Sequence, residues 1–342
     1  MNLFPKKINK AFNKFNTIQK ILTILAIIII LLAIYNFVIP SKNRKEGMIT
    51  RRENFTLYKE NNLYDDFYAY MSNTINKHED LNDYEMTSLF NSKEVDINNE
   101  SRILDIGSGT GEHINIISGR DIECYGIDKS SSMVERAQNN YPDCNFKQGD
   151  VVASGSSMLY EPNTFTHILA LNFTVYYIKN KDLLLKNSYN WLMPGGTLII
   201  HLVNRDTFDK ISNIKDIGVS YSNYNNNEQY NSISKKPVKL IINDPEIISG
   251  INTDANHVSG SNMVINYKSD YKADYKNDAS TYIETFTMPD GKIRQNEHDL
   301  YIPKQSTILA SAKSVGFILL ERLSLTNAGY KDQSLYVLKK PE

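Results

Sequence analysis

The chain has 342 residues, more than one domain usually holds, so a large domain with attached segments is expected. Its 38 Lys and Arg residues nearly balance 39 Asp and Glu residues, and no basic stripe follows the N-terminal region, which argues against a nucleic-acid groove. The two cysteines, Cys124 and Cys144, lack the spacing of metal ligands or of a disulfide framework, so neither a zinc site nor a disulfide scaffold is predicted.

The first element in chain order is an apolar run over residues 21–39, which follows a lysine-rich tail over residues 1–20. Its only clearly polar members are Thr23 and Asn36. At about 1.5 Å per helical residue, a run of this length crosses a hydrocarbon core of about 30 Å. A cleaved signal peptide is the alternative, but its apolar region is normally shorter, at roughly 7–15 residues, and a small-residue cleavage site follows it. The run therefore predicts an uncleaved, single-pass helix in a lipid bilayer.

A tyrosine-rich and acidic stretch over residues 58–84 lies between this run and the next apolar strand, so residues 40–99 are assigned to a linker and an N-terminal helical cap. Tyr64 and Tyr68 are four positions apart, a spacing that places two side chains on one face of a helix. The pair either covers a pocket or packs the helix onto a sheet. Packing is the more ordinary role for such a pair, and it is the interpretation we favour.

An apolar strand that contains Asp105 ends in a loop with glycine at alternate positions, Gly107, Gly109 and Gly111. Glycine has no Cβ and adopts φ angles that other residues avoid, so a bound cofactor can lie directly on such a turn. A dinucleotide fingerprint, G-x-G-x-x-G/A, needs Gly or Ala at the position where this chain has Glu112. An ordinary strand-to-helix turn is the alternative for any glycine loop, so the elements that follow decide between the two.

A second short strand over residues 124–128 ends in another acid, Asp128. In open α/β sheets, the acid at the carboxyl end of the second strand accepts hydrogen bonds from ribose hydroxyls. Helix capping is the alternative role for Asp128. Ser132 and Glu135 already form a capping-box pattern for the next helix, which favours the ribose role.

The next elements alternate between strand and helix and carry polar residues where the strands end. Asp150 follows the third strand, and Asn172 follows the fourth, which is almost wholly apolar, as expected of a strand covered on both faces. The elements are strands at 145–148, 166–171 and 197–203, a helix at 182–192, and a tight turn at 193–196 with the sequence Met-Pro-Gly-Gly.

Residues 205–300 form a long segment that precedes the last elements of the chain. Alternating segments at 239–242, 263–268 and 281–287, with a hairpin-type turn of sequence Pro-Asp-Gly-Lys at 289–292, predict a small inserted antiparallel sheet. A helix at 308–315 and two strands, at 316–323 and 334–339, complete the chain.

The pattern D-x-G-x-G-x-G from Asp105 to Gly111, the acids Asp128 and Asp150 after the next strands, and the Pro-Gly-Gly turn resemble the class I S-adenosylmethionine (SAM)-dependent methyltransferases. The resemblance covers residues 100–204 and 300–340. It implies a Rossmann-like, doubly wound α/β fold with a seven-stranded sheet, and SAM as the cofactor. The implied organisation is a basic tail (1–20), a transmembrane helix (21–39), a linker and helical cap (40–99), a SAM-binding core (100–204), an inserted antiparallel β cap (205–300) and the closing elements of the core (301–342).

The resemblance also implies the residues that bind SAM. Asp105 and the glycines are expected at the methionine end, Asp128 at the ribose and Asp150 at the adenine amino group. The insertion resembles the substrate caps of methyltransferases that act on small metabolites, and the tyrosine-rich stretch resembles the N-terminal helix that many of them place over the cofactor. The implied cofactor-binding residues are Asp105, Gly107, Ser108, Gly109, Gly111, Asp128, Lys129, Asp150, Val151 and Asn172.

Methyl transfer from a sulfonium is an in-line displacement, so the protein mainly aligns the acceptor and excludes water, and a general base is needed only for a protonated acceptor. The residues near the expected acceptor that could act as such a base also have ordinary structural roles. His201 lies in an apolar strand, and His113 is close enough in sequence to orient the loop. Amino methyltransferases of nucleic acids carry Asn-Pro-Pro-Tyr after the fourth strand, whereas this chain lacks both prolines. The candidates are His113, Asn172, Tyr176, Tyr177 and His201.

The sequence therefore predicts a membrane-anchored methyltransferase that transfers a methyl group from SAM to a small-molecule or protein acceptor. A catalytically silent SAM-binding module and a nicotinamide-dependent oxidoreductase are the alternatives. Basic residues flank the apolar run in similar numbers on both sides, so charge gives no orientation. Because SAM is made in the cytosol, a cytosolic catalytic domain is expected, and glycans on the Asn54 or Asn99 triplets would reverse that orientation.

Overall fold

The computed structural model of the chain describes residues 50–52, 54–75, 79–208, 230–234, 238–251 and 263–342, together with residues 17, 19, 20 and 23. The chain divides into two compact units, Met1–Glu46 and Gly47–Glu342. The predicted membrane segment over residues 21–39 lies outside the described residues apart from Thr23. Among the residues that are described, no helix combines the length and hydropathy needed to cross a bilayer.

The elements of the second unit are numbered in chain order. The helices are α1 Asp66–Ile75, α2 Glu79–Asn91, α3 Glu112–Ser118, α4 Ser131–Asn140, α5 Thr174–Tyr177, α6 Lys181–Trp191, α7 Pro245–Ile251 and α8 Gln305–Val315. The strands are β1 Thr50–Arg52, β2 Phe55–Lys59, β3 Arg102–Ile106, β4 Glu123–Asp128, β5 Asn145–Gln148, β6 Phe165–Ala170, β7 Leu192–Val203, β8 Tyr230–Ser234, β9 Val238–Ile242, β10 Met263–Asp274, β11 Ala279–Thr287, β12 Ile293–Tyr301, β13 Ile318–Ser324 and β14 Gln333–Lys339.

The core is a seven-stranded sheet in the order β13-β14-β7-β6-β3-β4-β5. Strands β3 to β7 pair in parallel, and β14 pairs antiparallel with both β7 and β13. The chain leaves β3 toward β4 and β5 and then returns to β6 on the other side of β3. Ligands of open α/β sheets bind at such a switch point, outside the carboxyl ends of the strands. The predicted doubly wound seven-stranded fold is confirmed.

Both faces of the core sheet are covered, because successive side chains of a strand point to opposite faces. Leu104 and Ile168 pack into the core on one face, and their neighbours Ile103 and Leu169 pack into the core on the other face. This two-sided burial explains why β6 has no alternation of polar and apolar residues.

Two local predictions differ from the structure. The expected tight turn at 193–196 is part of β7, where these residues bulge out of the ladder between the β6 partners Phe165 and His167. Helix α4 is capped by Ser130 and not by Ser132, because the Ser130 Oγ accepts a hydrogen bond from the Met133 N–H. The turn motif gives way to strand pairing at 193–196, and the capping-box motif gives way to a cap by the nearby Ser130. Neither motif by itself reveals the competing interaction.

The second sheet, called the cap sheet, has the order β1-β2-β12-β11-β10-β8, with β9 also paired to β10. Its β10, β11 and β12 pair antiparallel, as the alternating segments predict, and Gly291 forms the predicted hairpin turn at a φ of +84°. The interpretation of residues 40–99 as a linker and helical cap omits β1 and β2. Strand β2 pairs parallel to β12, so the segment before α1 belongs to the cap sheet.

Helix α1 is fixed to the cap sheet by Arg294, which lies on the buried face of β12. Its guanidinium donates to both carboxylate oxygens of Asp65, at 2.7 and 2.8 Å, and to the Leu63 carbonyl oxygen at 3.1 Å. Two parallel N–H to carboxylate bonds fix orientation as well as distance. Helix α1 begins at Asp66, so Tyr64 precedes it, and the prediction that Tyr64 and Tyr68 share a helix face is wrong. Their rings still contact each other edge to face, with centroids 5.6 Å apart.

Candidate functional site

The glycine loop follows β3 and has a left-handed backbone at all three of its glycines. A Cβ on Gly107 would lie 2.7 Å from the Thr174 side chain, and one on Gly111 would lie 2.6 Å from the Phe146 ring. A Cβ on Gly109 would meet nothing within 4 Å. Gly107 and Gly111 therefore allow close packing inside the protein, whereas Gly109 faces open space in which a ligand could lie on the backbone.

Asp128 lies at the carboxyl end of β4, beside this open glycine. Its Oδ2 accepts a hydrogen bond from the Gly109 N–H at 3.0 Å, and its Oδ1 accepts one from the Ser130 N–H at 2.9 Å. Burial raises the pKa of Asp128 against the lowering effect of these backbone donors. A carboxylate accepts up to about four hydrogen bonds, so its oxygens retain capacity for the hydroxyls of a ribose.

Three buried oxygens at this edge accept no hydrogen bond from any described residue. They are Asp105 Oδ2, Ser108 Oγ and Asn172 Oδ1. Asp105 Oδ2 lies 3.8 Å from His113 Nδ1, and burial raises the pKa of the Asp105 carboxyl to about 7, although His113 opposes that rise. Buried polar atoms are normally paired, so unpaired acceptors beside the loop fit a ligand with a cationic or hydrogen-bond-donating group.

His113 and His201, two of the catalytic candidates, lie beneath the loop in a buried network around Glu85 of α2. His113 Nε2 is 3.2 Å from Glu85 Oε2, and His201 Nδ1 is 3.2 Å from Glu85 Oε1. His201 Nε2 is 2.9 Å from Gln333 Oε1. Burial alone would raise the pKa of Glu85, but its interactions with the two histidines lower it to about 2. The His201 ring is fully buried and its Nε2 contacts Gln333, so this network holds elements together.

Asp150, Lys129 and Val151 lie at the ends of β4 and β5. The Asp150 Oδ1 accepts the N–H of Val152 at 2.9 Å, and its Oδ2 is 3.0 Å from the Lys129 Nζ. The Val151 side chain is buried, and its carbonyl oxygen accepts a hydrogen bond from Asn187 at 2.8 Å. Asp150 remains partly exposed at the cofactor edge, where the resemblance puts the adenine.

The two tyrosines after β6 have different surroundings. Tyr176 is fully buried, and its hydroxyl accepts the Val203 N–H at 2.9 Å, which is a structural role. Tyr177 is half-buried, and its hydroxyl lies 3.3 Å from Nδ1 of His298, a residue of the cap sheet. His298 Nε2 in turn lies 2.7 Å from Glu284 Oε2 on the neighbouring β11.

His298 and Glu284 are absent from the candidates that the sequence supplies. Both lie at positions of β11 and β12 whose side chains face inward, where charged residues are rarely buried unless paired. In the sequence, Glu284 and His298 occupy the same alternate positions as Tyr282, Phe286 and Leu300, which are buried. This pattern indicates burial only when it is known which side of the inserted sheet faces inward.

The segment around α1 covers the cofactor edge of the core. The Ser130 Oγ donates to the Tyr64 carbonyl oxygen at 2.7 Å, and the Thr110 hydroxyl of the glycine loop donates to Asn73 of α1. The Tyr64 and Tyr68 rings also contact the His298 ring, with centroids 6.0 and 5.4 Å apart. The two tyrosines thus pack against the cap sheet next to the loop that the cofactor would occupy.

The residues that form this switch point, open glycine and set of strand-end acids lie within a match to a known protein family. A profile of the family described as methyltransferase domain matches residues 97–279. The chain belongs to the methyltransferase-domain family. The predicted family is therefore confirmed, and SAM is the expected cofactor of this methyltransferase-domain protein.

Its relatives include phosphoethanolamine N-methyltransferases. Phosphoethanolamine N-methyltransferase 1 of Triticum aestivum is 32% identical over 122 residues, which are 34% of this chain and 23% of that protein. Phosphoethanolamine N-methyltransferase of Plasmodium falciparum is 30% identical over 112 residues, 31% of this chain and 41% of that protein. The match thus spans less than half the length of either relative.

Solved structures match over a larger part of the methyltransferase-domain protein. A SAM-dependent methyltransferase from Clostridium acetobutylicum has a TM-score of 0.52 at 16% identity and covers 80% of this chain and 98% of its own. DesVI of Streptomyces venezuelae also has a TM-score of 0.52 at 16% identity and covers 81% of this chain and 98% of its own. At such identities the likeness establishes the fold alone.

Proposed function

We propose that this protein is an active methyltransferase that transfers the methyl group of SAM to a small acceptor held between the core sheet and the cap sheet. The observation that carries the proposal is the open face of Gly109 beside the Asp128 carboxylate, at the switch point of a family-matched core. The half-buried Tyr177 at the same edge lies against the cap sheet, next to the expected cofactor. SAM brings an activated methyl group, so the chain's own residues need to bind, align and exclude water.

Three acids supply complementary contacts to SAM in this proposal. The unpaired Asp105 Oδ2 suits the ammonium of the methionine end, because a buried carboxylate is stabilised by an adjacent cation. Asp128 would accept the ribose hydroxyls and Asp150 the adenine amino group. Each of these groups lies at the carboxyl end of β3, β4 or β5, in the order that the parts of the cofactor require.

The decisive experiment adds one methyl group to the open glycine. Gly109→Ala in the full chain should weaken SAM binding at least tenfold by calorimetry, because the new Cβ enters the space that the cofactor would fill. Gly291→Ala is a matched control, since Gly291 also has a positive φ and nothing within 4 Å of an added Cβ, but lies in the cap-sheet hairpin. Both changes place a Cβ on a residue with a positive φ, so both carry backbone strain. Equal SAM affinity in the two variants would refute the proposed site.

A catalytically silent SAM-binding module is the second candidate. It shares every cofactor contact, so affinity for SAM does not distinguish it. The distinguishing measurement is formation of S-adenosylhomocysteine by the full chain with a panel of small acceptors that includes phosphoethanolamine, the compound named in its relatives. Turnover with any of them supports the enzyme, and SAM binding without turnover across the panel supports the module.

We also propose that residues 21–39 anchor the protein in a membrane as a single span, with the catalytic unit in the cytosol. The support is the length and composition of that apolar run. The full chain should stay in the membrane pellet after alkaline extraction, and a variant without residues 1–39 should not. Occupied glycans at Asn54 or Asn99 would contradict the cytosolic orientation.

A further inference from the structure

The inward face of the cap sheet carries a buried acid and a buried histidine that the cofactor contacts do not use. Glu284 on β11 is 0% exposed and His298 on β12 is 3% exposed. They lie on adjacent antiparallel strands, where Tyr282 pairs with His298. Burying a carboxylate costs several kcal/mol unless it is paired and hydrogen-bonded, so a sheet that only needed to pack would have an apolar residue here.

Glu284 has both carboxylate oxygens occupied. Its Oε2 lies 2.7 Å from His298 Nε2, and its Oε1 accepts hydrogen bonds from the Tyr267 and Tyr282 hydroxyls at 2.7 and 3.3 Å. Burial would raise the pKa of Glu284, but His298 and the hydroxyls of Tyr267 and Tyr68 lower it, so the group is a carboxylate at neutral pH. With these donors in place, Glu284 serves to orient His298 and to stabilise positive charge on its ring.

His298 is thereby oriented toward Tyr177. When Nε2 donates its proton to Glu284, a neutral imidazole has its lone pair on Nδ1, and that atom lies 3.3 Å from the Tyr177 hydroxyl. Tyr177 follows β6, at the carboxyl edge of the core, and its ring lies 6.3 Å from that of Tyr64. The Tyr64 carbonyl oxygen accepts a hydrogen bond from the Ser130 hydroxyl, and the Ser130 N–H donates to Asp128, so Tyr64 lies beside the acid expected at the ribose. A continuous line of groups thus leads from the cofactor edge into the cap sheet.

We propose that Tyr177, His298 and Glu284 form a proton relay that accepts the proton lost by the methyl acceptor. The proposal deepens and rests on the proposed function. It assigns the acceptor to compounds whose attacking oxygen or nitrogen carries a proton. Tyr177 touches the acceptor and is a catalytic residue in this scheme, whereas His298 and Glu284 act through it as positioning residues.

The step balances without a further reactant. The acceptor's lone pair forms a bond to the methyl carbon while the carbon–sulfur bond breaks and leaves its electrons on sulfur. The acceptor's proton passes to the Tyr177 oxygen as the Tyr177 hydroxyl proton passes to His298 Nδ1. The positive charge lost at sulfur reappears on the His298 ring, next to the Glu284 carboxylate.

The titratable groups that face His298 include Tyr64, Tyr68, Tyr177, Tyr282 and Glu284. Burial raises the pKa of Tyr64, Tyr68 and Tyr282, so these groups stay phenols near neutral pH.

The first test reads the protonation state of His298 by nitrogen NMR of histidine-labelled full chain in the presence of S-adenosylhomocysteine. His298→Gln assigns the signal. The relay requires a neutral ring with the proton on Nε2 at pH 8. A ring protonated on both nitrogens from pH 6 to 9 would overturn the proposal, because His298 would then be a fixed ion pair with Glu284. Tyr177→Phe removes only one hydroxyl and should shift the Nδ1 signal. An unchanged Nδ1 signal would also overturn it.

The second test separates catalysis from packing. With the acceptor panel used above, His298→Gln and Tyr177→Phe should lower kcat by roughly 100-fold or more, the usual worth of a general base, and should remove the acidic limb of its pH profile. The affinity for SAM should stay within twofold of the wild type. A wild-type chain that binds no SAM refutes the proposed function, whereas variants that retain kcat and its pH profile refute the relay alone.

Discussion

Three acids at the cofactor edge titrate differently because each has different donors. Asp105 is buried without a hydrogen-bond donor on Oδ2, and its pKa is raised to about 7. Glu85 is equally buried, but the two histidines lower its pKa to about 2. Asp128 lies between these cases, with backbone donors that oppose the effect of burial on its pKa. The number of donors, more than depth, therefore decides which acid is charged before the cofactor binds.

Asp105 predicts a pH-dependent affinity for SAM. A ligand ammonium beside the carboxyl favours its charged form, so binding should tighten severalfold as pH rises from 6 to 7.5. Calorimetry in the full chain measures this, and Asp105→Asn should bind SAM with little change over the same interval. The charged or titratable neighbours are His113, Glu85, Asp128 and Glu112. A slope that persists in Asp105→Asn would assign the effect to one of these groups.

The contacts of Asp128 predict that the affinity for SAM depends on how many acceptor oxygens remain at this position. Asp128→Ala should weaken SAM binding by about 1–3 kcal/mol, because the ribose hydroxyls and the Gly109 N–H lose their acceptor. Asp128→Asn keeps one oxygen and should lose less. Asp143→Ala, at an exposed acid just before β5, is the matched control and should bind SAM like the wild type. Unchanged affinity in Asp128→Ala would rule out the ribose role.

Single side chains also join whole elements beneath the site. Glu85 on α2 contacts His113 on α3 and His201 on β7, and His201 contacts Gln333 on β14. Two helices and one strand thus meet at the Glu85 carboxylate, and β14 joins them through His201. Arg294 plays an equivalent part in the cap sheet, where it joins β12 to the segment that enters α1. In the core sheet and in the cap sheet alike, a buried charged group with several partners holds separate elements together.

Glu85 predicts an acid-sensitive stability. Its pKa is about 2 in the folded chain against a usual value of 4.5, so it contributes about 3 kcal/mol of stability above pH 4.5. That contribution is lost as pH falls from about 4.5 toward 2, because the unfolded state binds the proton first. Denaturant unfolding at pH 6, 4.5 and 3 measures it. Glu85→Gln should be less stable than the wild type at pH 6 and should approach it at pH 3. A constant difference between the two would contradict the linkage.

The whole molecule shows which parts of the fold a sequence can reveal. The core was predictable because its parallel strands are apolar runs that end in glycines and acids, and these signals are local. The bounds of β5 and the hairpin at Gly291 agree with the structure for this reason. Strands β1 and β2 were missed because they are short and carry polar residues, and because β2 joins the cap sheet through β12, more than two hundred residues away.

The candidate site likewise contains residues that the sequence identified and residues that it missed. Gly109 and Asp128 were identified from spacing within one βαβ unit, which fixes their geometry locally. His298 and Glu284 were missed because a polar residue in an alternating strand normally faces solvent. Their inward phase depends on the packing of an inserted sheet on a core edge, which neither the cap sequence nor the core sequence specifies alone. His113 and His201 were suggested for catalysis on the same local reasoning, and the structure gives them buried partners in Glu85.

The coverage of the core by α1 predicts how cofactor binding affects the molecule as a whole. Helix α1 contacts the glycine loop through the hydrogen bond from Thr110 to Asn73, and Tyr64, just before α1, accepts a hydrogen bond from Ser130, which follows β4. Release of the cofactor should therefore require local opening of α1, and bound S-adenosylhomocysteine should slow that opening. Hydrogen exchange in the full chain should show ligand protection in Asp66–Ile75 as well as in the glycine loop. The edge strand Ile318–Ser324 is far from the switch point in the sheet order and should exchange at the same rate with and without ligand. Protection confined to the loop would mean that the cofactor enters and leaves without movement of α1.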